Sequence, residues 1–183
     1  MSLVDKRYAE AFLQVSVEQN QVKEHLEFLR KIYYLMRDNK DFRHALNNPK
    51  LEIKQKQEIA NAVLGEQMPV MIVNFLKVLI ESGRIGSYSS IAKQYRGLAY
   101  KHEKIQIIRI RSAFPLDETQ IRAIGEKYRE MYEASSVITE FEIDKTLLGG
   151  ILVKVGDIVY DNSLAGRLNS LKKTLNWGEI YEA

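Results

Sequence analysis

Three acidic residues on one short segment have the types and the spacing that could support chemistry. Glu140, Glu142 and Asp144 occupy every second position, a spacing that places side chains on one face of a β-strand. Neighbouring carboxylates can bind a divalent cation or act as a general acid–base pair. No histidine accompanies them in the sequence. We therefore interpret this acidic ladder as a solvated strand face.

A glycine-rich stretch near the C-terminus is the second candidate. Gly149, Gly150 and Gly156 match neither G-x-G-x-x-G nor the phosphate-loop spacing. We expect them at a strand bend where chain segments approach closely. Asp157 and Asp161 lie near the same turn, and the run Asp-Asn-Ser that begins at Asp161 is typical of a helix cap.

The amino-acid composition excludes several kinds of functional site. The 183 residues include no cysteine and three scattered histidines, which excludes thiol catalysis, disulfides and cysteine-bound zinc. The net charge is only +3, from 27 basic and 24 acidic residues, whereas nucleic-acid-binding domains are usually strongly basic. Arg109 and Arg111 could follow a phosphate backbone or pair with the acidic ladder. We predict no catalytic, cofactor-binding or metal-binding residue, and a helical nucleic-acid-binding adaptor stays as the alternative.

The longest apolar run is too short for a membrane span. It extends from Val70 to Ile80 and contains Asn74 and Lys77, whereas a transmembrane helix needs about 20 apolar residues. The first residues include Asp5 and lack a signal-peptide pattern. We expect a soluble chain that begins at Met1.

Helical periodicity runs through the first hundred residues. Val4, Tyr8, Ala11 and Val15, together with Phe12, mark one face of a first helix. Further helices are predicted to begin near Val22, Asp38, Ile53, Pro69 and Tyr88. These patterns predict a six-helix bundle over residues 1–103.

The sequence also predicts which parts of this bundle form its interior. The fifth helix is apolar around more than half of its circumference, so it is either central or lends one side to a partner. We expect Phe12, Tyr33 and Phe42 to belong to the core.

The pattern changes at Lys104, where β-branched residues predict a strand. A helix after Pro115, a second strand and a hairpin that turns at Gly156 and Asp157 follow. A last helix from about Ser163 carries Leu164, Leu168, Leu171 and Leu175. The predicted fold class is α+β, mainly α, with a small α/β domain over residues 104–183.

Three motifs, in order along the chain, make it similar to the delta subunit family of F-type ATP synthase, known in mitochondria as the oligomycin-sensitivity-conferring protein. They are RYAEA at residues 7–11, NFLKVL at 74–79 followed by Gly83 and Arg84, and LGGILVKVGDIVYDNS at 148–163. Together they span nearly the whole chain.

This resemblance implies a non-catalytic stator component, present as one copy per complex. The helical domain would bind the N-terminal helix of an alpha subunit, and the C-terminal domain would bind the b subunits of the peripheral stalk, so that rotor torque is resisted. No cofactor and no nucleic acid are implied. We expect a peripheral location on the cytoplasmic face of a bacterial membrane, held there by partner subunits.

The resemblance also implies specific residues. In the family, the first and fifth helices bind the alpha-subunit helix. The matching positions of this chain are Tyr8, Ala11, Phe75 and Leu79. Packing inside the bundle is an equal alternative for each of them. The other matched positions would shape the fold. They are Arg7, Gly83, Arg84, Gly149, Gly150, Gly156, Asp157 and Asp161.

Overall fold

A computed structural model describes residues 2–65 and 67–178, and the chain divides into two compact units between His102 and Glu103. The first unit is helical. Its helices are α1 (Leu3–Glu18), α2 (Val22–Asp38), α3 (Lys40–Asn47), α4 (Ile53–Leu64), α5 (Val70–Glu81) and α6 (Tyr88–His102), and a 3₁₀ turn at Ile85–Ser87 precedes α6.

Short polar residues set the helix boundaries in this unit. Asn20 has a positive φ of 54° and follows the end of α1. Asn39 separates α2 from α3, because its Oδ1 accepts a hydrogen bond from the Phe42 backbone N–H at 3.0 Å and so caps α3. Glu52 and Gln55 form a reciprocal capping box at the start of α4.

The core of the first unit is centred on α5. This helix turns Ile72, Val73, Phe75, Leu76, Leu79 and Ile80 inward. Phe12 and Phe42 are buried with them, as expected, whereas Tyr33 is 39% exposed on α2. The prediction for Tyr33 was wrong because the buried side of α2 runs through His25, Leu29, Ile32 and Met36.

The second unit is a four-stranded sheet with helices. Its elements are β1 (Ile105–Ser112), α7 (Glu118–Met131), β2 (Ser136–Ile143), β3 (Ile151–Val155), β4 (Ile158–Asp161) and α8 (Leu164–Gly178). The strand order is β2-β1-β3-β4. β1 is parallel to β2, and the β1–β3 and β3–β4 pairs are antiparallel. The expected α+β class, mainly helical, is confirmed.

One face of this sheet is covered by α7. Ile108, Ile110, Val153 and Val155 are buried there against Tyr128. Side chains at alternate strand positions point to the opposite face, which carries Arg109, Arg111, Lys154, Glu140 and Glu142. In the part of the chain that is described, no helix is long and apolar enough to cross a membrane.

Candidate functional sites

Helices α1 and α5 meet through two stacked aromatic rings. The ring centroids of Phe12 and Phe75 lie 4.1 Å apart with an interplanar angle of 21°. Phe12 also contacts His25 and Tyr95, with ring centroids at 5.4 and 5.3 Å. Phe12 is therefore the shared neighbour of α2, α5 and α6.

The four positions expected to bind a partner helix divide between core and surface. Phe75 is 8% exposed and Leu79 is fully buried. Tyr8 is half-buried and packs against the core, and Ala11 is exposed. Of these four positions, Tyr8 and Ala11 are the two that are open to a partner in the isolated chain.

The inward face of α1 differs from the face that its apolar residues predict. Asp5, Ala9, Phe12 and Ser16 are buried. The predicted stripe is rotated about a quarter turn from this face, since one residue advances a helix by about 100°. Of the predicted members, Phe12 is buried. The other four, Val4, Tyr8, Ala11 and Val15, are half-buried or exposed, and we call these four the α1 stripe.

A comparable stripe lies on the outer side of α5. Val70 is 75% exposed and Val78 is 48% exposed, with the exposed Asn74 between them. These residues are four apart and share one face, which we call the α5 stripe. Two helices that meet through Phe12 and Phe75 thus both keep apolar surface in water.

The end of α5 has the hydrogen bonds of a Schellman motif. Gly83 has a φ of 66° and donates its N–H to Ile80 O at 3.0 Å. Arg84 donates its N–H to Leu79 O at 2.7 Å. Gly83 thereby ends the helix, and Arg84 contributes backbone to the same cap. Arg7 is exposed on α1.

A buried polar network joins α1, α2 and α6. The Ser16 hydroxyl donates to Phe12 O at 2.8 Å and accepts from the Tyr95 hydroxyl at 2.9 Å. His25 Nδ1 lies 2.9 Å from the same Ser16 oxygen. Burial lowers the pKa of His25, and the negative charge of Glu24 opposes this change.

Two buried side-chain atoms lack a hydrogen-bond partner among residues 2–65 and 67–178. They are Asp5 Oδ1 and His25 Nε2. Both atoms lie inside the helical unit, on residues that are 4% and 1% exposed.

The acidic ladder of β2 is paired with cations from β1. Arg109 Nε lies 2.7 Å from Glu140 Oε2, and Arg111 Nη1 lies 2.9 Å from Asp144 Oδ2. Hydrogen bonds from Thr146 and the positive charge of Arg111 hold the pKa of Asp144 below its usual value. Within the described ranges no cluster of acidic or histidine side chains is arranged for a metal ion. Both arginines of this face thus pair with a carboxylate of the acidic ladder.

The paired glycines before β3 lie where two chain segments nearly touch. A Cβ on Gly149 would lie 2.6 Å from Leu164 Cδ1. Gly150 has a φ of 76°, and a Cβ there would collide with the carbonyl oxygen of Asn162. Only glycine fits this close approach without strain.

The residues around the following turn cap and connect elements. Gly156, with a φ of 58°, and the exposed Asp157 form the turn between β3 and β4. Asp161 Oδ1 accepts the Ser163 N–H at 2.9 Å, and Ser163 Oγ accepts the Gly166 N–H at 2.9 Å. Ser163 therefore caps α8, and Asp161 fixes Ser163.

Helix α8 presents a leucine stripe to solvent. Leu164, Leu168 and Leu171 are each at least half exposed, and their spacing puts them on one face. We call them the α8 stripe; the side chain of Leu175 lies outside the described residues. The helix sequence contains Arg167, Lys172 and Lys173 and no acidic residue. It is therefore a basic amphipathic helix whose apolar side is uncovered by the described chain.

Uncovered apolar stripes on a helical unit and on an α/β unit are features of a protein that works by holding other chains. The chain belongs to the family of the ATP synthase delta (OSCP) subunit, whose family model matches residues 4–175.

Relatives and solved structures agree with this assignment. The chain is 35% identical to ATP synthase subunit delta of Acetivibrio thermocellus, over 96% of this chain and 98% of the relative. It is 34% identical to ATP synthase subunit delta of Synechococcus elongatus, over 92% and 93%. A chain of the Toxoplasma gondii mitochondrial ATP synthase has the same fold, with a TM-score of 0.71, 20% identity and coverage of 96% and 98%. A chain of Polytomella F-ATP synthase matches 57% of this chain and 92% of its own length, with a TM-score of 0.53 and 18% identity.

Membership of this family defines the biological role at a coarse level. The protein is a structural stator subunit of the F-type ATP synthase and not itself an enzyme. It is a peripheral part of a membrane-associated complex. The comparisons give no support to the nucleic-acid-binding alternative.

Proposed function

We propose that the helical unit, residues 1–103, binds the N-terminal helix of an alpha subunit and that residues 104–183 bind the b subunits of the peripheral stalk. One copy per complex then connects the catalytic head to the stalk and resists rotor torque. The observation that carries this proposal is that α1 and α5 meet through Phe12 and Phe75 while both helices keep exposed apolar stripes.

The α1 and α5 stripes have the chemistry of a helix-binding surface. An amphipathic helix binds by laying its apolar face on a hydrophobic groove. Tyr8 and Ala11 on α1 and Val78 on α5 are the accessible residues that we assign to this surface. Ala11 is small, which lets another helix approach closely. In this proposal Phe75 and Leu79 support the surface from within, as members of the same buried cluster.

The α8 stripe has the chemistry of a second, separate contact. Its leucines lie on a helix with three basic residues and no acidic ones. The partner that fits is an amphipathic helix with an apolar stripe and acidic flanks, which we assign to a b subunit. Because the two contacts lie on different units, torque passes through the whole chain. The bacterial relatives favour the cytoplasmic face of the cell membrane as the site of assembly.

Calorimetric titration with a synthetic alpha-subunit peptide tests the head contact. The peptide comprises about 20 N-terminal residues, enough for a helix of roughly 30 Å. We expect 1:1 binding with micromolar or tighter affinity. Ala11→Arg should weaken binding at least about tenfold, since it places a charge in an apolar contact.

Val17→Arg is the matched control. Val17 is an exposed apolar residue of α1 that lies about 120° around the helix from Ala11. Both variants should keep the wild-type helical circular dichroism spectrum. Absence of binding by folded wild type, or equal weakening by both substitutions, would contradict the head contact.

A further inference from the structure

His25 is a titratable side chain inside the helical unit, one ring away from the proposed head contact. It is 1% exposed. Its imidazole stacks on Phe12, and Phe12 stacks on Phe75 of α5. A column of three rings therefore runs from α2 to the junction of α1 and α5.

The hydrogen bonds of Ser16 favour one tautomer of His25. The single Ser16 proton is donated to Phe12 O, and the Ser16 oxygen accepts from Tyr95. We therefore assign Nδ1–H as the donor in the remaining contact, 2.9 Å from Ser16 Oγ to His25 Nδ1. Nε2 is left as a buried acceptor that has no partner among the described residues.

Protonation of His25 would add an N–H at Nε2, where the described residues supply no acceptor. The charge that acts on the ring is that of Glu24, on its own helix. From α1 the ring meets Phe12 and Ser16. The Tyr95 hydroxyl of α6 donates to the same Ser16 oxygen, and Phe75 of α5 lies behind Phe12.

The other ionisable group on the inward face of α1 is distant from the ring. Asp5 lies about two helical turns from Phe12. The imidazolium therefore has no counter-ion in direct contact among the described residues, and burying an unpaired charge is strongly unfavourable.

We propose that His25 is a positioning residue for the head contact and makes it sensitive to acid: only the neutral imidazole keeps Phe12 against Phe75, so the helical unit loses stability and binds its partner helix more weakly as pH falls. This inference rests on the proposed function, because the docking surface is the one assigned above.

The direction in which stability changes with pH follows from proton linkage. Burial holds the pKa of His25 below the value of 6.5 for a free side chain, so the unfolded chain binds a proton first. The contribution of His25 to stability is complete above pH 6.5 and is lost as pH falls from there through the folded-state pKa. In this window the unfolding equilibrium constant rises by up to about tenfold per pH unit.

Urea unfolding and peptide titration of the full chain at neutral and mildly acidic pH test the proposal. The variants are His25→Phe, which keeps a ring on Phe12 without a titrating group, and His44→Gln, which removes an exposed histidine of α3. Wild type and His44→Gln should both lose stability and several-fold affinity in acid. His25→Phe should show a smaller loss of both.

A direct measurement keeps the test decisive if His25→Phe folds poorly. NMR titration of the wild-type imidazoles should show that the pKa of His25 lies below 6.5 and that the Phe12 and Phe75 ring signals shift with the same midpoint. Three results would overturn the proposal. They are a pKa of His25 that is not lowered, Phe12 and Phe75 ring signals that do not shift with the titration of His25, and an acid sensitivity of His25→Phe equal to that of wild type. Failure of folded wild type to bind at neutral pH would instead overturn the head contact, and the unfolding curves would still test the histidine.

Discussion

The main-chain carbonyl oxygen of Asn162 occupies the space that a side chain at Gly150 would need. This contact brings the start of β3 against the segment that leads into α8. Leu164 donates its N–H to Gly149 O at 2.9 Å, and Asn162 donates its N–H to Ile151 O at 3.0 Å, so both sides of the glycine pair are fixed.

We predict that Gly150→Ala destabilises the second unit by more than about 2 kcal/mol, since a positive φ alone costs an alanine roughly 1–2 kcal/mol. The collision with Asn162 adds to that cost. Gly156→Ala is the matched control, because Gly156 also has a positive φ but has no atom near its added Cβ. Thermal unfolding followed by circular dichroism compares the two, and equal losses would show that the contact with Asn162 is unimportant.

Alanine substitutions at two neighbouring residues of α5 should differ in their effects on stability and on binding. Leu79→Ala removes a fully buried side chain and should lower the free energy of unfolding by about 2–5 kcal/mol. Val78→Ala, on the α5 stripe, should change it by less than about 0.5 kcal/mol and should weaken binding of the alpha-subunit peptide. Urea unfolding and calorimetry measure the two effects. A stability loss in Val78→Ala as large as that in Leu79→Ala would mean that α5 is turned differently from the arrangement described.

The tyrosine pair between α7 and β4 makes the second unit sensitive to alkali. The hydroxyls of Tyr132 and Tyr160 lie 2.8 Å apart, and this hydrogen bond raises the pKa of Tyr132 from 10.0 to about 12. A raised folded-state pKa means that the stability contribution is complete below pH 10 and is lost as pH rises toward 12.

Tyr160→Phe should return the pKa of Tyr132 toward its usual value and reduce the alkaline loss of stability. Tyr33→Phe, an exposed position on α2, is the control and should leave the titration of Tyr132 unchanged. Phenolate absorbance and thermal unfolding at alkaline pH provide the two readouts. An unchanged titration in Tyr160→Phe would rule out the hydrogen bond as the cause.

Substitutions on the α8 stripe should separate binding from folding. Leu168→Asp with Leu171→Asp replaces two exposed leucines, so the melting temperature should stay near that of wild type. Binding to a peptide from the C-terminal end of a b subunit should be lost, because the substitutions put charge into an apolar contact. Asn169→Asp is the control, since it adds a carboxylate to the same helix away from the stripe. Equal weakening by Asn169→Asp would attribute the loss to charge alone.

The periodicity of apolar residues predicted the helices and strands better than it predicted which face of each one is buried. The buried face of α1 includes Asp5 and Ser16, and a pattern of apolar residues does not mark polar positions as buried. Ser16 is buried because Tyr95 and His25, far away in sequence, hydrogen-bond to it. The leucines of α8 predicted a helix, but periodicity does not say what covers the apolar side. The column of rings from His25 to Phe75 could not be predicted from periodicity either, because its three residues lie on three different helices.

The central position of β1 has a consequence for synthesis on the ribosome. β1 is made before both of its sheet neighbours, and β3 begins only at Ile151. At about 5–20 residues per second, the roughly 40 residues between them take about two to eight seconds. The edge of β1 that pairs with β3 stays open for that whole interval, and the other edge stays open until β2 is complete at Ile143, so the apolar strand must avoid joining other nascent chains. Arg109 and Arg111, which later pair with Glu140 and Asp144, then serve as unpaired charges that discourage such association.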